Sequence, residues 1–161
     1  MARRVKVIAT KGKYNQLWYL YRYISFAKLF KNTLIIEFLR YFPFIQLKPM
    51  LYRRLLHMKI GNHTAIAFKV VPDLMYPEKI KIGENVTIGY HTTILTHEFL
   101  PNVLRVGDVE IGNDTLIGAN VTILPGVKIG ERVQIGANAV VSKDIPNDTI
   151  AIGNPIQIKP L

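Results

Sequence analysis

Four histidines, His57, His63, His91 and His97, are the side chains of this chain that exchange protons near neutral pH. There is no cysteine, which removes disulfides, thiolate metal sites and a cysteine nucleophile together, and fits a reducing compartment. His97 stands in Thr96-His97-Glu98, directly after Ile94-Leu95, where a repetitive pattern breaks off. A histidine presented by a departing loop either takes a proton as general base or is an ordinary polar loop residue. Glu98 either orients that imidazole or contacts an acceptor, and adjacency alone does not put the two side chains on one side. His91 falls in the turn Gly89-Tyr90-His91-Thr92 and reads as structural or as a rim residue. His63 occupies the equivalent turn Gly61-Asn62-His63-Thr64, and His57 reads as a polar-face residue of a basic stretch.

The elements that must hold these residues are visible through a repeat. Ile82, Ile88 and Ile94 are six apart, and the step resumes at Ile111, Ile117, Ile123, Ile129, Ile135 and Val141. Four residues after these comes a small or β-branched side chain: Val86, Thr92, Thr115, Val121, Val127, Val133, Ala139 and Ile145. A strand reverses its facing at every residue, and a helix repeats near 3.6. A period of six with β-branched residues, Gly and Asn suits very short strands joined by turns that need positive φ. Three hexads close one triangular coil, and coils stack at roughly 4.8 Å, each covering its neighbour's open edge. A β-sandwich, with strands spaced irregularly by about 8–12 residues, would not keep nine aliphatics in register. Ile60-Gly61-Asn62-His63-Thr64 and Ile66 start a first partial coil. Register is lost between Ile66 and Ile82, so the stretch from Val70 to Pro77 is expected to hold a bulge or a bent coil. Between Ile94 and Ile111 the chain is expected to leave as a loop.

Composition divides the chain at the same place. Hydrophobic residues make up 49% and charged residues 20%, which excludes a disordered chain. Residues 1–59 hold 13 Lys and Arg against one acid, Glu37, and most of the aromatics including Trp18; residues 60–161 hold 8 against 10. This predicts a basic, aromatic-rich helical N-terminal region, 1–59, before a β-helix domain, 60–161. Residues 14–32 and 33–41 read as helices, with another short helix from Leu51 to Met58. The N-terminal region either caps the first coil or forms an interfacial segment, residues 14–58, attracted to anionic membrane; the two roles are compatible. Nothing resembles a nucleic-acid reader motif. Met1-Ala2-Arg3-Arg4 is not followed by a clean apolar run, and the stretch from Leu34 to Leu47 carries Glu37, Arg40 and Pro43, so neither a secretory signal nor a membrane span is expected.

The run Ile111-Gly112-Asn113-Asp114-Thr115-Leu116-Ile117-Gly118-Ala119-Asn120-Val121-Thr122-Ile123-Leu124-Pro125-Gly126-Val127, with Val141-Ser142-Lys143-Asp144-Ile145-Pro146 and Gly153-Asn154-Pro155, resembles the hexapeptide-repeat acyltransferases. The branch it resembles is that of galactoside, maltose and cell-surface-polysaccharide O-acetyltransferases, over about Ile60 to Ile158. The resemblance implies left-handed winding, a homotrimer with active sites between neighbouring β-helices, and acetyl-CoA as co-substrate in the groove. It places the catalytic histidine at the departure from the coil, hence His97. It implies that the Ala119 backbone N–H faces the thioester oxygen and that Ala137 lines the pantetheine path. Ser142 and Lys143 then lie near the adenine and phosphate end, where a lysine suits anionic phosphates; otherwise Lys143 is a solvated turn residue. Two positions depart from the pattern: Leu116 where relatives carry Trp, and Gln157 where they often carry Arg, for which Lys159 is a substitute. Relatives hold sugar hydroxyls with acidic and amide side chains at the positions of Asp73 and Glu78, which otherwise are surface carboxylates. Tyr76 and Tyr90 either stack on a sugar ring or cover the trimer seam. The γ-class carbonic anhydrases share the β-helix but use two histidines about five apart and a distant third, whereas His91 and His97 are six apart, so no metal is expected.

The expectation is therefore a cytoplasmic acetyl-CoA-dependent O-acetyltransferase acting on a sugar or glycan, able to sit peripherally at the inner membrane surface. The alternatives are an N-acyltransferase acting on an amino-sugar or xenobiotic amine, and a non-catalytic structural trimer that kept the β-helix.

Overall fold

The computed structural model describes residues 3–9 and 12–161; Met1, Ala2, Thr10 and Lys11, part of the basic N-terminal stretch, lie outside them. The chain opens with strand β1 (Lys6–Ala9) and a 3-10 turn, Gln16–Arg22, followed by helices α1 (Phe26–Arg40) and α2 (Lys48–Leu56). The two helices expected over 14–32 and 33–41 are instead the 3-10 turn and one helix. Ser25 supplies the reason: its hydroxyl accepts from the Lys28 N–H and starts α1 there. The expected short helix begins earlier, with Pro49 in its first turn.

From Lys59 onward three parallel ladders form the faces of a left-handed parallel β-helix. The first face stacks β2 (Lys59–Ile60), β5 (Ile80–Ile82), β10 (Val109–Ile111) and β13 (Lys128–Ile129). The second stacks β3 (Ala65–Ile66), β6 (Thr87–Ile88), β11 (Leu116–Ile117), β14 (Gln134–Ile135) and β16 (Thr149–Ile152), closed by antiparallel β17 (Gln157–Pro160). The third stacks β4 (Val71–Pro72), β7 (Thr93–Ile94), β12 (Thr122–Ile123) and β15 (Val140–Val141). The six-step aliphatics pair with one another along each ladder, as Ile117 does with Ile88 and Ile135, and fill the axis at no more than 6% exposure.

The turns after the first and second faces obey one local rule. His63, Lys69, Asn85, His91, Asp114, Asn120, Arg132, Asn138 and Asp148 all sit at φ between 52° and 62°, the left-handed region that Asn, Asp and His tolerate best. The next residue turns inward. At Thr64, Thr92 and Thr115 the buried hydroxyl donates to a glycine carbonyl of the adjacent coil, whereas Thr149 donates to the Pro146 carbonyl of its own turn. Coils approach so closely that a Cβ on Gly118 would lie 2.7 Å from the Ala137 nitrogen.

The first irregularity lies within the expected stretch and runs just past it; the second takes a different form from the expected loop. Pro72 keeps the hexad step from Ile66 and pairs with Ile94; the extra residues come after it, in 73–79, ending in a 3-10 turn. The second interruption is a hairpin, not a loop: β8 (His97–Phe99) and β9 (Val103–Val106) pair antiparallel, and β1 adds to β9. Ile145 does not fill a corner after Val141 but bridges Ile129 on the first face, so the last turn is shortened. At the other end, α2 packs on β2 and β3, and Ile36, Leu39, Tyr52 and Leu56 join the core of the first coil. Lys48 is buried there, its ammonium donating to the Ala67 carbonyl at 3.0 Å, and burial pushes its pKa down to about 8. Among the described residues no helix is long and apolar enough to cross a membrane.

Candidate active site

Pairing of β4 with β7 stacks their ends, so the residues that follow each strand share one corner of the prism. Asp73 follows β4 and His97 follows β7 there. The Asp73 side chain is fully buried, and its Oδ2 lies 2.6 Å from His97 Nδ1. The same oxygen accepts the Thr96 and His97 backbone N–H groups at 2.8 and 3.1 Å. Its Oδ1 accepts those of Met75 and Tyr76 at 2.8 and 2.9 Å. The extra residues after Pro72 therefore build a nest of N–H donors around one carboxylate. Burial alone would raise its pKa. The hydrogen bond and charge of His97, with the Tyr76 and Thr96 amides, outweigh burial and hold the Asp73 carboxyl below its ordinary value. An ionised carboxylate at Nδ1 assigns the proton to that nitrogen and leaves the Nε2 lone pair free, the tautomer a general base needs.

The imidazole is walled by aromatic rings. Tyr76 and Phe99 stand edge-on to it at centroid distances of 6.2 and 5.5 Å. Tyr23, from the N-terminal region, packs on Phe99 at 5.9 Å, and its carbonyl accepts the Tyr76 hydroxyl at 3.2 Å. Burial, with the charges of Asp73 and Glu78, raises the Tyr76 pKa, so the phenol stays a donor. Thr96 is buried and its hydroxyl donates to the Tyr76 carbonyl. The His97 side chain keeps 18% of its surface open.

Strand alternation decides the place of Glu98. His97 and Phe99 point to one side of β8 and Glu98 to the other. There Glu98 accepts from the two terminal guanidinium nitrogens of Arg3, at 2.8 and 3.1 Å, and from Arg105 at 3.1 Å. Burial would raise its pKa, but the two arginines bring it below the usual value. Glu78 is half-exposed and paired with Lys28 of α1 at 2.8 Å; that ammonium also lies 5.2 Å from the Tyr76 ring centre.

The remaining candidates occupy two other places. Tyr90, Ala119 and Ala137 stack at the corner between the second and third faces, joined through hydrogen bonds from Asn120 to Tyr90 and from Asn138 to Ala119. Tyr90 is exposed and shares this corner with Lys69, whose ammonium lies 5.4 Å from the ring centre. Ser142 and Lys143 are exposed at the corner after the third face, the edge on which His97 departs. Lys159 is exposed on β17, on the second face. Within one chain the alanine column and His97 thus lie on opposite edges of the third face. The hollows of the single chain include a trough of about 600 Å³ on the first face, lined by Lys81, Glu110 and Lys128, away from His97. His91 Nδ1 meets Asn120 Oδ1 at 3.0 Å between successive turns, and His63 is the equivalent turn residue a coil earlier. Among the described residues no group of three or more His, Asp or Glu could hold a metal.

Sequence reasoning did not find Phe99, Tyr23, Arg3 or Arg105. Reading 97–99 as a strand would have separated Glu98 from His97 and joined Phe99 to it. The link from Arg3 to Glu98 spans the whole N-terminal region and leaves no local signal.

Residues 108–143 match the family described as bacterial transferase hexapeptide (six repeats). A protein of Bacillus subtilis (strain 168) named "Putative acetyltransferase YvoF" is 49% identical over 144 residues, 89% of this chain and 84% of that protein. A Staphylococcus aureus (strain MRSA252) protein named "Putative acetyltransferase SAR0816" is 53% identical over 145 residues, 90% of each chain. A solved hexapeptide-repeat-containing acetyltransferase of Vibrio cholerae, complexed with acetyl coenzyme A, superposes with a TM-score of 0.67 at 26% identity, covering 82% of this chain and 85% of that one.

Proposed function

This chain belongs to the hexapeptide-repeat acetyltransferases, and we propose that it transfers the acetyl group of acetyl-CoA to a hydroxyl of a sugar or glycan with His97 as general base. The observation that carries this reading is the Asp73–His97 pair, built where the ladder breaks and nowhere else in the repeat. His97 Nε2 takes the acceptor's hydroxyl proton as the oxygen attacks the thioester carbonyl. Asp73 remains ionised and stabilises the imidazolium that forms. Collapse of the tetrahedral intermediate breaks the C–S bond, and the imidazolium returns the proton to the leaving thiolate. Asp73 is a positioning residue in this scheme, its oxygens being occupied by His97 and four backbone amides and so turned away from any acceptor. Tyr76 and Phe99 wall the acceptor side.

The donor side is the alanine column. Small side chains at Ala119 and Ala137 leave that corner open for the pantetheine arm, and the Ala119 N–H is the group we assign to the thioester oxygen. Ser142 and Lys143 would meet the nucleotide end, with Lys159 as a further cation for phosphate. Because His97 and the alanine column occupy opposite edges of one face, a complete site needs the edge of one prism against the other edge of its neighbour. A cyclic homotrimer satisfies this for all three subunits. We take residues 1–59 as an appendage that covers the first coil and supplies Tyr23 and Lys28 to the wall, and we place the reaction in the cytoplasm.

The test is release of free CoA thiol from acetyl-CoA across a panel of sugars and amines, beside the mass of the particle in solution. Turnover with a sugar hydroxyl supports the reading. Turnover confined to amines makes the chain an N-acyltransferase, and a trimer with no turnover and no acetyl-CoA binding makes it a structural protein.

A further inference from the structure

Helix α1 is apolar on two opposite sides. The inward side carries Ile36 and Leu39, buried, with Asn32 tied by its amide to the Leu74 carbonyl. The outward side carries Phe26, Phe30, Leu34, Phe38 and Tyr41 at three- and four-residue steps, each between 53% and 67% exposed. Ring contacts extend this stripe beyond the helix in both directions. Tyr21 meets Phe26 at 6.0 Å and Phe26 stacks on Phe30 at 5.7 Å; Phe38, Phe42 and Phe44 continue at 5.7 and 5.5 Å. Trp18 in the preceding turn is 75% exposed, with Leu17 and Tyr14 beside it in sequence. A contiguous aromatic surface of this kind needs a partner, because soluble surfaces scatter such residues singly.

Charge selects the partner. Lys13, Arg22 and Lys31 are exposed within the same stretch, and the one acid of residues 1–59, Glu37, is neutralised by Arg40 at 2.9 Å. Pairing this face with its own copy would bring like charges together. Aromatic rings with Trp and Tyr at the margins and lysine or arginine among them match the boundary between acyl chains and anionic headgroups. Among the described residues no helix is long and apolar enough to cross a bilayer, so α1 would lie in its plane. We propose that the outward face of α1, with its flanking aromatics, is a docking surface for an anionic lipid bilayer.

Flotation with phosphatidylcholine vesicles, with and without phosphatidylglycerol, tests this on the full chain. Binding is expected on the anionic vesicles and weaker on the neutral ones, and it declines as salt rises because headgroup attraction is screened. Phe30→Ser with Phe38→Ser is expected to lower the bound fraction by about tenfold or more. Both residues are exposed, so the melting temperature should hold, and thiol release with a water-soluble acceptor should not change. No binding to anionic vesicles overturns the proposal, and so does binding that the double variant leaves intact. A double variant that sediments as a smaller particle than wild type also overturns it, assigning the face to a second copy of the chain.

Discussion

The coils from Ile111 to Val141 and the two interruptions at 73–79 and 97–106 follow opposite rules. In the coils every hexad repeats one solution: an axial aliphatic, a left-handed turn residue and a small corner side chain, each in contact with its like above and below. No side chain there is unique, and none is placed to do chemistry on its own. In the interruptions nothing repeats. Asp73 gathers four amides and an imidazole, and Glu98 gathers two arginines from distant segments. Redundancy makes a stiff frame, and the frame lets a few single contacts set the position of the His97 imidazole, the base we propose.

The hardest test of this division is His97→Ala. Removing the base should lower the rate of thiol release by about 10³-fold, within the usual range for general acid–base catalysis. Asp73 keeps its four backbone donors, so the melting temperature should change little. A variant that retains full turnover would move the chemistry elsewhere and collapse the contrast between coil and interruption.

Asp73→Asn should act on both sides of the division. An amide cannot fix the Nδ1–H tautomer or stabilise an imidazolium as the carboxylate does, so turnover should fall by about 10²-fold, the lower end of the range for general acid–base catalysis. Its NH₂ group would also meet backbone donors, and stability should drop by about 1–3 kcal/mol. The pH dependence has a definite sign. A carboxyl whose folded pKa lies below the unfolded value contributes stability above about pH 3.9 and loses it as pH falls through the folded pKa. Wild type should therefore lose stability on acidification below that value more steeply than Asp73→Asn, as read by denaturant titration across acid pH.

How much of this was legible follows from the same distinction. The fold was readable because its determinants are local and repeated: Ile at every sixth residue and Gly or Asn at the turns needed no knowledge of distant partners. His97 was readable as the residue where repetition stops. Asp73 stood out as an acid in an irregular stretch, but its orientation toward His97 depends on the alignment of β4 with β7, which the sequence shows only if Pro72 is accepted as an in-register hexad residue. The N-terminal pieces were least legible. β1 has no partner within reach in sequence, and Arg3 and Glu98 meet only after the β8–β9 hairpin has formed. Apolarity on both sides of α1 blurred its amphipathic pattern, which moved the expected helix boundaries.

Substitutions within the ladder should have the converse signature of those at the break. Ile117→Val removes one methylene from a side chain with no exposed surface, and should cost about 1 kcal/mol of stability. At a temperature where the variant is fully folded, turnover should stay within about twofold of wild type, because neighbouring coils hold their register. A large loss of activity at unchanged stability would mean that the coils transmit strain to the His97 corner and are more than a frame.

A finer comparison separates two roles for Glu98. If its carboxylate touched the acceptor, Glu98→Gln would raise KM for the acceptor while Arg3→Ala would not. In the observed geometry Glu98 faces away from His97 and ties β8 to Arg3 and to Arg105 of β9. Its side chain is 19% exposed and that of Arg3 17%, so losing the charged hydrogen bonds should cost about 1–3 kcal/mol. The hairpin would then hold His97 less firmly, lowering kcat by less than about tenfold with KM unchanged. Arg3→Ala should reproduce that kcat effect, and the two substitutions combined should do little more than either alone, since both release the same contact. Additive effects, or a change in KM confined to Glu98→Gln, would return Glu98 to the acceptor and place chemistry on both sides of the hairpin.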